Sequence, residues 1–362
     1  MRTPLIFNTE GLIKNLNSPM EFYEIKKSKN NLGITKKYKN KRGKPFSVTL
    51  PKEIRISPET VGLIVGDGFT GDRHFVFANS NEKAIIEVLD FLGQFRLPIK
   101  MYLEISIKNE SKNFKNQCKK FWENCFKTKI NRIRLRKEFN NITRYGTIHL
   151  ILSNSLLAKI LKQMISLSKT KIEKNKQFSI DYLKGIIAAE GNINVKRTTN
   201  CVYMIRISAS KEKERRHYKK CLKKAGLNIY CKDMPTISKS EAKQKGWKTD
   251  KGRAGAVIIS RWENFIKVFD LGLLDLSDDK KAKFLRYFLN NKFTKQFLAF
   301  QHFLNKEFTM KEAQIFFGFS GKYVNRVLTL HKQGYLSRKK IDKIFTCRLT
   351  NKYTDLYNKF KK

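Results

Sequence analysis

The sequence is poor in acidic residues, paired cysteines and long apolar runs, and each shortage argues against a class of protein. Its 362 residues include 31 Asp+Glu against 76 Lys+Arg, a formal net charge of +45. The six cysteines form no CxxC pair, which argues against a zinc ribbon or finger and indicates reduced thiols. No uncharged run is long enough to span a bilayer, and no secretory pattern opens the chain.

The excess of positive charge indicates a polyanionic partner, because a fold this basic repels itself. Nucleic acid is the commonest such partner, and an anionic membrane surface is the alternative. Hydrophobic residues make up 41% of the chain, including 27 Phe, so a core can form and a disordered polycation is excluded. We expect a cytoplasmic, nucleoid-associated protein of a prokaryote, with an organelle as the alternative.

A nine-residue motif occurs twice, at 60–68 and 183–191. From the third position both copies read Gly, two apolar residues, two small residues, an acid and Gly, if Val65 is counted as small. The acids are Asp67 and Glu190. Similar predicted elements follow each copy, so the chain is predicted to contain two pseudo-symmetric halves of an α+β fold, each with the order αββαββα.

The repeat and the changes in composition divide the chain. Residues 1–55 are polar and basic, which predicts a partly ordered arm along DNA phosphates, with a solvated tail as the alternative. The first half covers 56–168 and the second 179–290, joined by a charged linker at 169–178. Residues 291–362 are predicted to form a helix-turn-helix followed by a β-hairpin, the outline of a winged helix-turn-helix domain that binds DNA.

Each motif is predicted to lie on a helix that ends at its acid. Ser57 and Ser179 are the predicted N-caps, and the glycines at 68 and 191 are natural residues to follow a helix end. Small residues recur four positions apart on each helix, which lets two helices pack closely: Gly62, Gly66, Gly185 and Ala189. If the helices are parallel, Asp67 and Glu190 meet at two adjoining helix C-termini.

Two carboxylates at helix C-termini are electrostatically unfavourable. An acid at this end of a helix is disfavoured by about 0.3–1 kcal/mol, and neighbouring carboxylates repel each other. A divalent cation relieves both effects, and Mg²⁺, or another such as Mn²⁺, prefers carboxylate and carbonyl oxygens. The predicted ligands are Asp67, Glu190 and the carbonyls of Gly66 and Ala189. The alternative is a packed helix pair whose acids face water.

The doubled motif resembles that of the LAGLIDADG homing endonucleases. The resemblance covers 57–290 and is carried by the paired glycines and acids, although the first copy departs at Thr60 and Gly66. It implies two saddle-shaped antiparallel sheets in the DNA major groove and a Mg²⁺-dependent double-strand break at a long recognition site during intron homing. It also implies a supporting basic residue in each half, for which the candidates are Lys251 or Arg253, and Arg144.

Two other functions stay open beside a DNA endonuclease. The layout also resembles regulators that join LAGLIDADG halves to a helix-turn-helix and bind DNA without cutting it. An RNA maturase, which would bind intron RNA, is the third. Both acids are present, which favours the endonuclease, because acids facing phosphates weaken a protein that only binds. The terminal residues lack intein splicing signatures, which predicts a free-standing protein, expected to be a monomer.

Base-reading residues are predicted from strand alternation and helix faces. Phe75 and Phe77 should point into one core, and Ile205 and Ile207 into the other, leaving neighbouring residues for the groove. Arginine pairs with guanine and asparagine with adenine at base edges. The candidate DNA-binding residues are Arg73, His74, Asn194, Lys196, Arg206 and Arg253, with Lys322, Asn325 and Arg326 on the helix predicted to read DNA in the C-terminal domain.

Overall fold

The fold is α+β, as predicted, with antiparallel strand pairing in every sheet that the structure describes. The structure is a computed structural model that describes residues 3–16, 21–38, 46–71, 73–106, 111–130, 132–136, 144–209, 211–229, 255–318, 324–341 and 344–361. It divides into two compact units. The first comprises 1–194 and 204–282, and the second comprises 195–203 and 283–362.

The N-terminal residues form two small sheets in place of the partly ordered arm that the sequence predicts. Strands β1 and β5 pair, and β2, β3 and β4 form a second antiparallel sheet. Alternating apolar residues such as Leu32 and Ile34 bury one face of that sheet, so the basic residues between them do not prevent folding. The elements are β1 (Leu5–Asn8), α1 (Thr9–Lys14), β2 (Glu21–Lys27), β3 (Asn31–Tyr38), β4 (Phe46–Pro51) and β5 (Glu53–Ile56).

One lysine of this sheet points into the interior. Lys36 is only 4% exposed, and its Nζ donates to Glu21 at 2.8 Å. Glu21 also accepts from Lys159 at 2.8 Å. A buried charge must be paired, and this carboxylate serves two lysines at once.

The first motif is followed by a five-stranded sheet in the order β6–β7–β10–β8–β9. The structure adds two elements, α4 and β9, to the predicted αββαββα order, and both lie between β8 and β10 in the chain. Strand β9 pairs parallel to β8. Phe77 and Leu150 lie on the buried face. The elements are α2 (Pro58–Asp67), β6 (Gly68–Thr70), β7 (Phe75–Asn79), α3 (Glu82–Gly93), β8 (Lys100–Ser106), α4 (Lys112–Phe126), β9 (Ile133–Arg136), β10 (Thr147–Leu152) and α5 (Ser155–Lys174).

The second motif is followed by a sheet in the order β11–β12–β13. Any fourth strand of the predicted half would fall in 230–254, outside the described residues. The predicted linker is helical, since Asn175 alone separates α5 from the next helix and caps it by accepting from the backbone N of Phe178 at 3.0 Å. The prediction of Ser179 as the N-cap is therefore wrong, because Ser179 lies inside that helix, where its Oγ donates to the carbonyl oxygen of Ile172 at 2.8 Å. The elements are α6 (Lys176–Glu190), β11 (Gly191–Lys196), β12 (Cys201–Ala209), α7 (Glu212–Lys224), β13 (Gly255–Ile259), α8 (Trp262–Asp270) and α9 (Asp278–Phe288).

The C-terminal elements have the predicted order of two helices followed by two antiparallel strands, and the predicted turn at 318–321 lies outside the described residues after Gly318. Thr309 and Glu312 form the predicted capping box at the start of α11. Strands β14, β16 and β15 form one antiparallel sheet in that order. DNA binding by this domain stays a prediction. The elements are α10 (Lys292–Ala299), a 3₁₀ turn (Phe300–Phe303), β14 (Glu307–Thr309), α11 (Met310–Phe317), α12 (Val324–Lys332), β15 (Leu336–Ile341), β16 (Ile344–Leu349) and α13 (Asn351–Lys361).

None of the helices in the described part of the chain has the length and apolar character needed to cross a bilayer.

Candidate functional site

The two motif helices, α2 and α6, pack against each other through their glycines. A Cβ on Gly62 would overlap the carbonyl oxygen of Tyr182 and lie 2.9 Å from the backbone N of Ile186. A Cβ on Gly185 would overlap the carbonyl oxygen of Glu59. Only glycine permits this approach, so the close packing that the small-residue spacing predicts is confirmed.

The helices run parallel, and their acids lie at the same end. Later residues of α2 meet later residues of α6, since a Cβ on Gly66 would overlap the Cβ of Ala189. The same position lies 3.2 Å from the Cγ of Glu190. Because Asp67 directly follows Gly66, the structure brings the two predicted carboxylates together at adjoining helix ends.

Each helix ends at its acid, as predicted, and passes directly into a strand. Gly68 has φ −95° and ψ 145°, and Gly191 has φ −74° and ψ 138°, both extended rather than left-handed. A Cβ would overlap the carbonyl oxygen of Ile64 in the first case and of Ile187 in the second. Glycine is therefore required by the tight change of direction that begins β6 and β11.

Asp67 is held by an asparagine that the sequence did not single out. The Nδ2 of Asn79, the last residue of β7, donates to Asp67 at 2.6 Å. The Oδ1 of Asn79 accepts from the backbone N of Asn81 at 2.7 Å, which fixes the orientation of the amide. Burial raises the pKa of Asp67 to about 6, against the opposing effects of the Lys280 charge and this hydrogen bond.

The pKa of Glu190 is also raised. Burial raises its pKa to about 7, the charge of Asp67 adds to the shift, and the charge of Lys280 opposes it. The two carboxylates thus share a partly buried site in which their full ionisation needs a compensating positive charge.

Lys280 lies beside both carboxylates, and the sequence did not indicate it. Its Nζ donates to the carbonyl oxygens of Ile187 at 3.0 Å, Ala188, and Ala189 at 3.2 Å, at the end of α6. Burial lowers the pKa of Lys280 to about 8, although both carboxylates oppose the shift. A helix end leaves its last carbonyls without partners, and this ammonium supplies three donors.

A cavity of about 310 Å³ opens beside Asp67. Its lining is mainly polar and includes Asn79, Thr147, Asp279 and Lys280. No cluster of three or more His, Cys, Asp or Glu occurs in the described part of the chain. The cavity lining offers the carboxylates of Asp67 and Asp279 beside open space, which suits Mg²⁺, because that ion keeps several waters and takes substrate phosphate oxygens. The donor set fits at Asp67, whereas the carbonyl of Ala189, a predicted ligand, already accepts from Lys280.

Of the basic residues predicted to support catalysis, Arg144 alone lies in the described part of the chain, and it does not line the cavity beside Asp67. Arg144 is exposed in the turn before β10, with its Cζ 5.1 Å from the ring centroid of Tyr145. It lines a neighbouring cavity of about 490 Å³ with Asp279. Lys251 and Arg253 lie outside the described residues.

The predicted strand alternation is confirmed for the core residues of β7 and β12. Phe75, Phe77, Ile205 and Ile207 are all fully buried. Among the predicted DNA contacts, Arg73 and His74 are exposed in the turn before β7, Lys196 is exposed, and Asn194 and Arg206 are partly buried. Lys322 lies outside the described residues, and Asn325 and Arg326 lie on α12, where only the backbone is described.

A basic and aromatic row crosses the outer face of the first sheet, opposite the buried face. The Cζ of Arg134 lies 4.1 Å above the Tyr102 ring, which stacks on His149 with centroids 4.3 Å apart. Tyr102 and His149 are paired across β8 and β10. Strand β9 supplies the arginine, so this row depends on the insertion that the sequence did not predict.

Divalent cations should stabilise the protein more at pH 8 than at pH 5. The raised pKa values of Asp67 and Glu190 favour their protonated forms on folding, so this contribution is present at low pH and is lost as pH rises through about 6 to 7. Cations bind the ionised forms. At tenfold excess over Kd, Mg²⁺ should stabilise by about 1.4 kcal/mol at pH 8, a few degrees in Tm.

Thermal unfolding with and without Mg²⁺ at both pH values checks this expectation. The double variant Asp67→Asn/Glu190→Gln is the control and should lose the pH-dependent increment. An equal Mg²⁺ effect at pH 5 and pH 8 would contradict it.

No family model matches the chain, and neither does any curated protein. Among solved structures, the chain is similar to one from a study of mesophilic variants of the homing endonuclease I-DmoI. The TM-score is 0.33 and the sequence identity 14%, over 60% of this chain and 94% of that one. At this level of similarity, the function has to be inferred from the geometry of the site.

Proposed function

We propose that the protein is a Mg²⁺-dependent, sequence-specific DNA endonuclease of the LAGLIDADG homing type. The observation that carries the proposal is the meeting of Asp67 and Glu190 at adjoining ends of two close-packed parallel helices. The chain has a net charge of +45, yet it keeps two carboxylates side by side. Their mutual repulsion and their burial both cost free energy. Those costs are compensated if the carboxylates bind cations at a scissile phosphate.

The two carboxylates would hold the metal, and Asn79 would keep Asp67 oriented toward it. When bound, Mg²⁺ neutralises charge on the phosphate and makes a coordinated water more acidic. The positive charge of Lys280 would add to the attraction of the phosphate backbone.

Double-stranded DNA would lie across the outer faces of the two sheets. In the first sheet, Arg134 offers a cation above the buried ring of Tyr102, on which His149 stacks. In the second, Arg206 is a candidate base contact, and its Nε has no hydrogen-bond partner among the described residues. A buried donor without a partner is costly, and a base or phosphate acceptor would satisfy it.

The C-terminal unit would add a second DNA contact. Its hairpin carries Arg338, whose Cζ lies 3.5 Å above the ring of Phe345. Lys339, Lys340 and Arg348 are exposed on the same two strands. Helix α12, with Asn325 and Arg326, would be the base-reading element of a winged helix.

A cleavage assay tests the proposal. The full chain is incubated with Mg²⁺ and duplex DNA carrying the locus of its own gene with the insertion removed. We expect one break in each strand at a single site, and no break when the metal is chelated. Intact DNA at protein concentrations that saturate the duplex would contradict the endonuclease.

The second candidate is a DNA-binding protein that does not cut. The contacts of Lys280 favour it, because an ammonium at the end of α6 partly compensates the two carboxylates without any metal. Footprinting in the same assay separates the two candidates. A specific footprint without breaks would identify the binding protein.

A further inference from the structure

Three apolar residues form a strip across the outer face of the first sheet. Phe69, on the edge strand β6, is paired with Val76 on β7, and Val76 is paired with Ile151 on β10. Directly opposed residues of neighbouring strands lie on the same face. Phe75 and Phe77, on either side of Val76, are fully buried on the other face, so this apolar strip points outward. Phe69 is 61% exposed, and the other two residues are partly exposed.

The ring of Phe69 is held in place although it is exposed. A Cβ on Gly71 would lie 3.0 Å from its Cε1, so the ring lies against the turn that follows β6. The backbone N of Gly71 donates to the carbonyl oxygen of His74 at 3.0 Å, and the rings of Phe69 and His74 have centroids 6.0 Å apart. An aromatic side chain that is restricted before binding loses little conformational entropy when a ligand covers it.

The surroundings of the apolar strip indicate a nucleic-acid occupant. Arg73 is exposed in the turn before β7, and Lys100, which is paired with Ile151, is exposed at the end of the strip away from β6. Asp67, a proposed metal ligand, lies two residues before Phe69. Basic residues on two sides would bind phosphates, which leaves the strip between them to face the edges of bases.

The chemistry of the apolar strip matches one group on those edges. In the major groove, the C5-methyl of thymine is the group on which phenylalanine and small apolar side chains pack. The other base edges present mainly hydrogen-bond donors and acceptors. An apolar side chain that covers a donor or an acceptor leaves it without a hydrogen bond, which costs free energy. The strip therefore favours thymine by contact and disfavours the other bases by desolvation.

We propose that the apolar strip selects thymine in the target DNA through its C5-methyl groups. This inference rests on the proposed function, since that function places duplex DNA on this face of the sheet. In the second motif, Asn192 follows Gly191 where Phe69 follows Gly68. Asparagine hydrogen-bonds to base edges, so the thymine preference belongs to one half of the target. Uracil lacks the methyl group, so the strip also favours DNA over RNA.

Deoxyuridine differs from thymidine only by the missing methyl group, so it tests the proposal through binding alone. One duplex carries the locus of the gene with the insertion removed, and a second has deoxyuridine in place of every thymidine. Fluorescence anisotropy gives the Kd of each, with divalent cations chelated so that neither is cut. A buried methyl group contributes about fourfold in affinity, so with two or three contacts the wild type should bind the thymine duplex at least about tenfold more tightly.

Variants assign this preference to the apolar strip. Phe69→Asn, which matches Asn192 of the second motif, should lower the ratio of the two Kd values about fourfold, whereas Phe69→Leu should keep it. The matched control is Leu167→Gln, which removes an apolar side chain that is 45% exposed on α5 and should leave the ratio at the wild-type value. Because Phe69 is mostly exposed, we expect each variant to fold, which circular dichroism checks.

Equal affinity of the wild type for the two duplexes would overturn the proposal, and so would an unchanged ratio in a folded Phe69→Asn. If that variant does not fold, wild-type binding to duplexes with deoxyuridine at one position at a time decides. The loss of affinity should then be confined to one half of the footprint. A loss spread over both halves would refute a strip on one sheet.

The proposed function fails in a different way. If the wild type binds the locus no more tightly than a duplex of shuffled sequence, the sequence-specific endonuclease and the thymine-selecting strip fail together. Specific binding and cutting without a preference for thymine would refute only the role of the strip.

Discussion

Replacing Asp67 with Asn, or Glu190 with Gln, should lower the rate of DNA cleavage by at least about a thousandfold while leaving DNA binding unchanged or tighter. Each substitution keeps the shape of the side chain and removes the charge that binds a cation. A metal ion at a phosphoryl oxygen contributes several kcal/mol to the transition state, and each 1.36 kcal/mol is tenfold in rate. Binding does not suffer, because a negative charge facing phosphate is removed.

Single-turnover cleavage and fluorescence anisotropy measure the two quantities separately. The matched control is Asp90→Asn, which removes the same charge from the exposed side of α3 and should cut at the wild-type rate. Cleavage that survives in both site variants would place the active site elsewhere. Loss of binding as well as cutting would mean that the carboxylates maintain the fold rather than the chemistry.

The core of this site follows from local sequence signals. Ser57 caps α2 by accepting from the backbone N of Thr60 at 2.9 Å. Such a cap can be predicted from sequence, because its two partners are only three residues apart. The spacing of Gly62 and Gly185 leaves flat helix faces, and two such faces have few ways to pack other than against each other. The close packing of the two helices was therefore predictable from spacing, whereas the meeting of Asp67 and Glu190 also required the helices to be parallel, which spacing does not determine.

Lys280 was not predictable, because its partners lie far away in the chain. The acceptors at Ile187 and Ala189 are about ninety residues earlier, and nothing in the local run of charges around Asp278 and Asp279 distinguishes Lys280 from a solvated side chain. Asn79 is missed for a related reason. Strand alternation assigns it a face but not a partner, and only the register of the sheet brings it to Asp67.

The N-terminal sheet and the α4–β9 insertion show a different limit. The first 55 residues were predicted to form an arm because of their high positive charge. Apolar residues such as Leu32 and Ile34 nevertheless alternate with polar ones, as in a half-buried strand. Lys36 continues that alternation into the interior, where Glu21 pairs with it. A lysine at a core position is predicted from sequence to be exposed, unless the acidic residue that pairs with it is known.

Replacing Gly185 with Ala should destabilise the first unit by about 3 kcal/mol, at the upper end of the usual range for overpacking. The added Cβ would overlap the carbonyl oxygen of Glu59 and lie 2.8 Å from the backbone N of Leu63. Backbone atoms of a packed helix cannot rotate away as a flexible side chain can. The better helix propensity of Ala offsets only about 1 kcal/mol of this.

Urea unfolding of the full chain measures the loss, and Gly93→Ala is the matched control. Gly93 is the last residue of α3, and a Cβ there would meet nothing within 4 Å, so this variant should be unchanged or more stable by up to about 1 kcal/mol. Gly185→Ala should also cut DNA more slowly, since helices forced apart separate Asp67 from Glu190. Equal stability of the two glycine variants would contradict the close helix contact, and with it the geometry that holds the two carboxylates together.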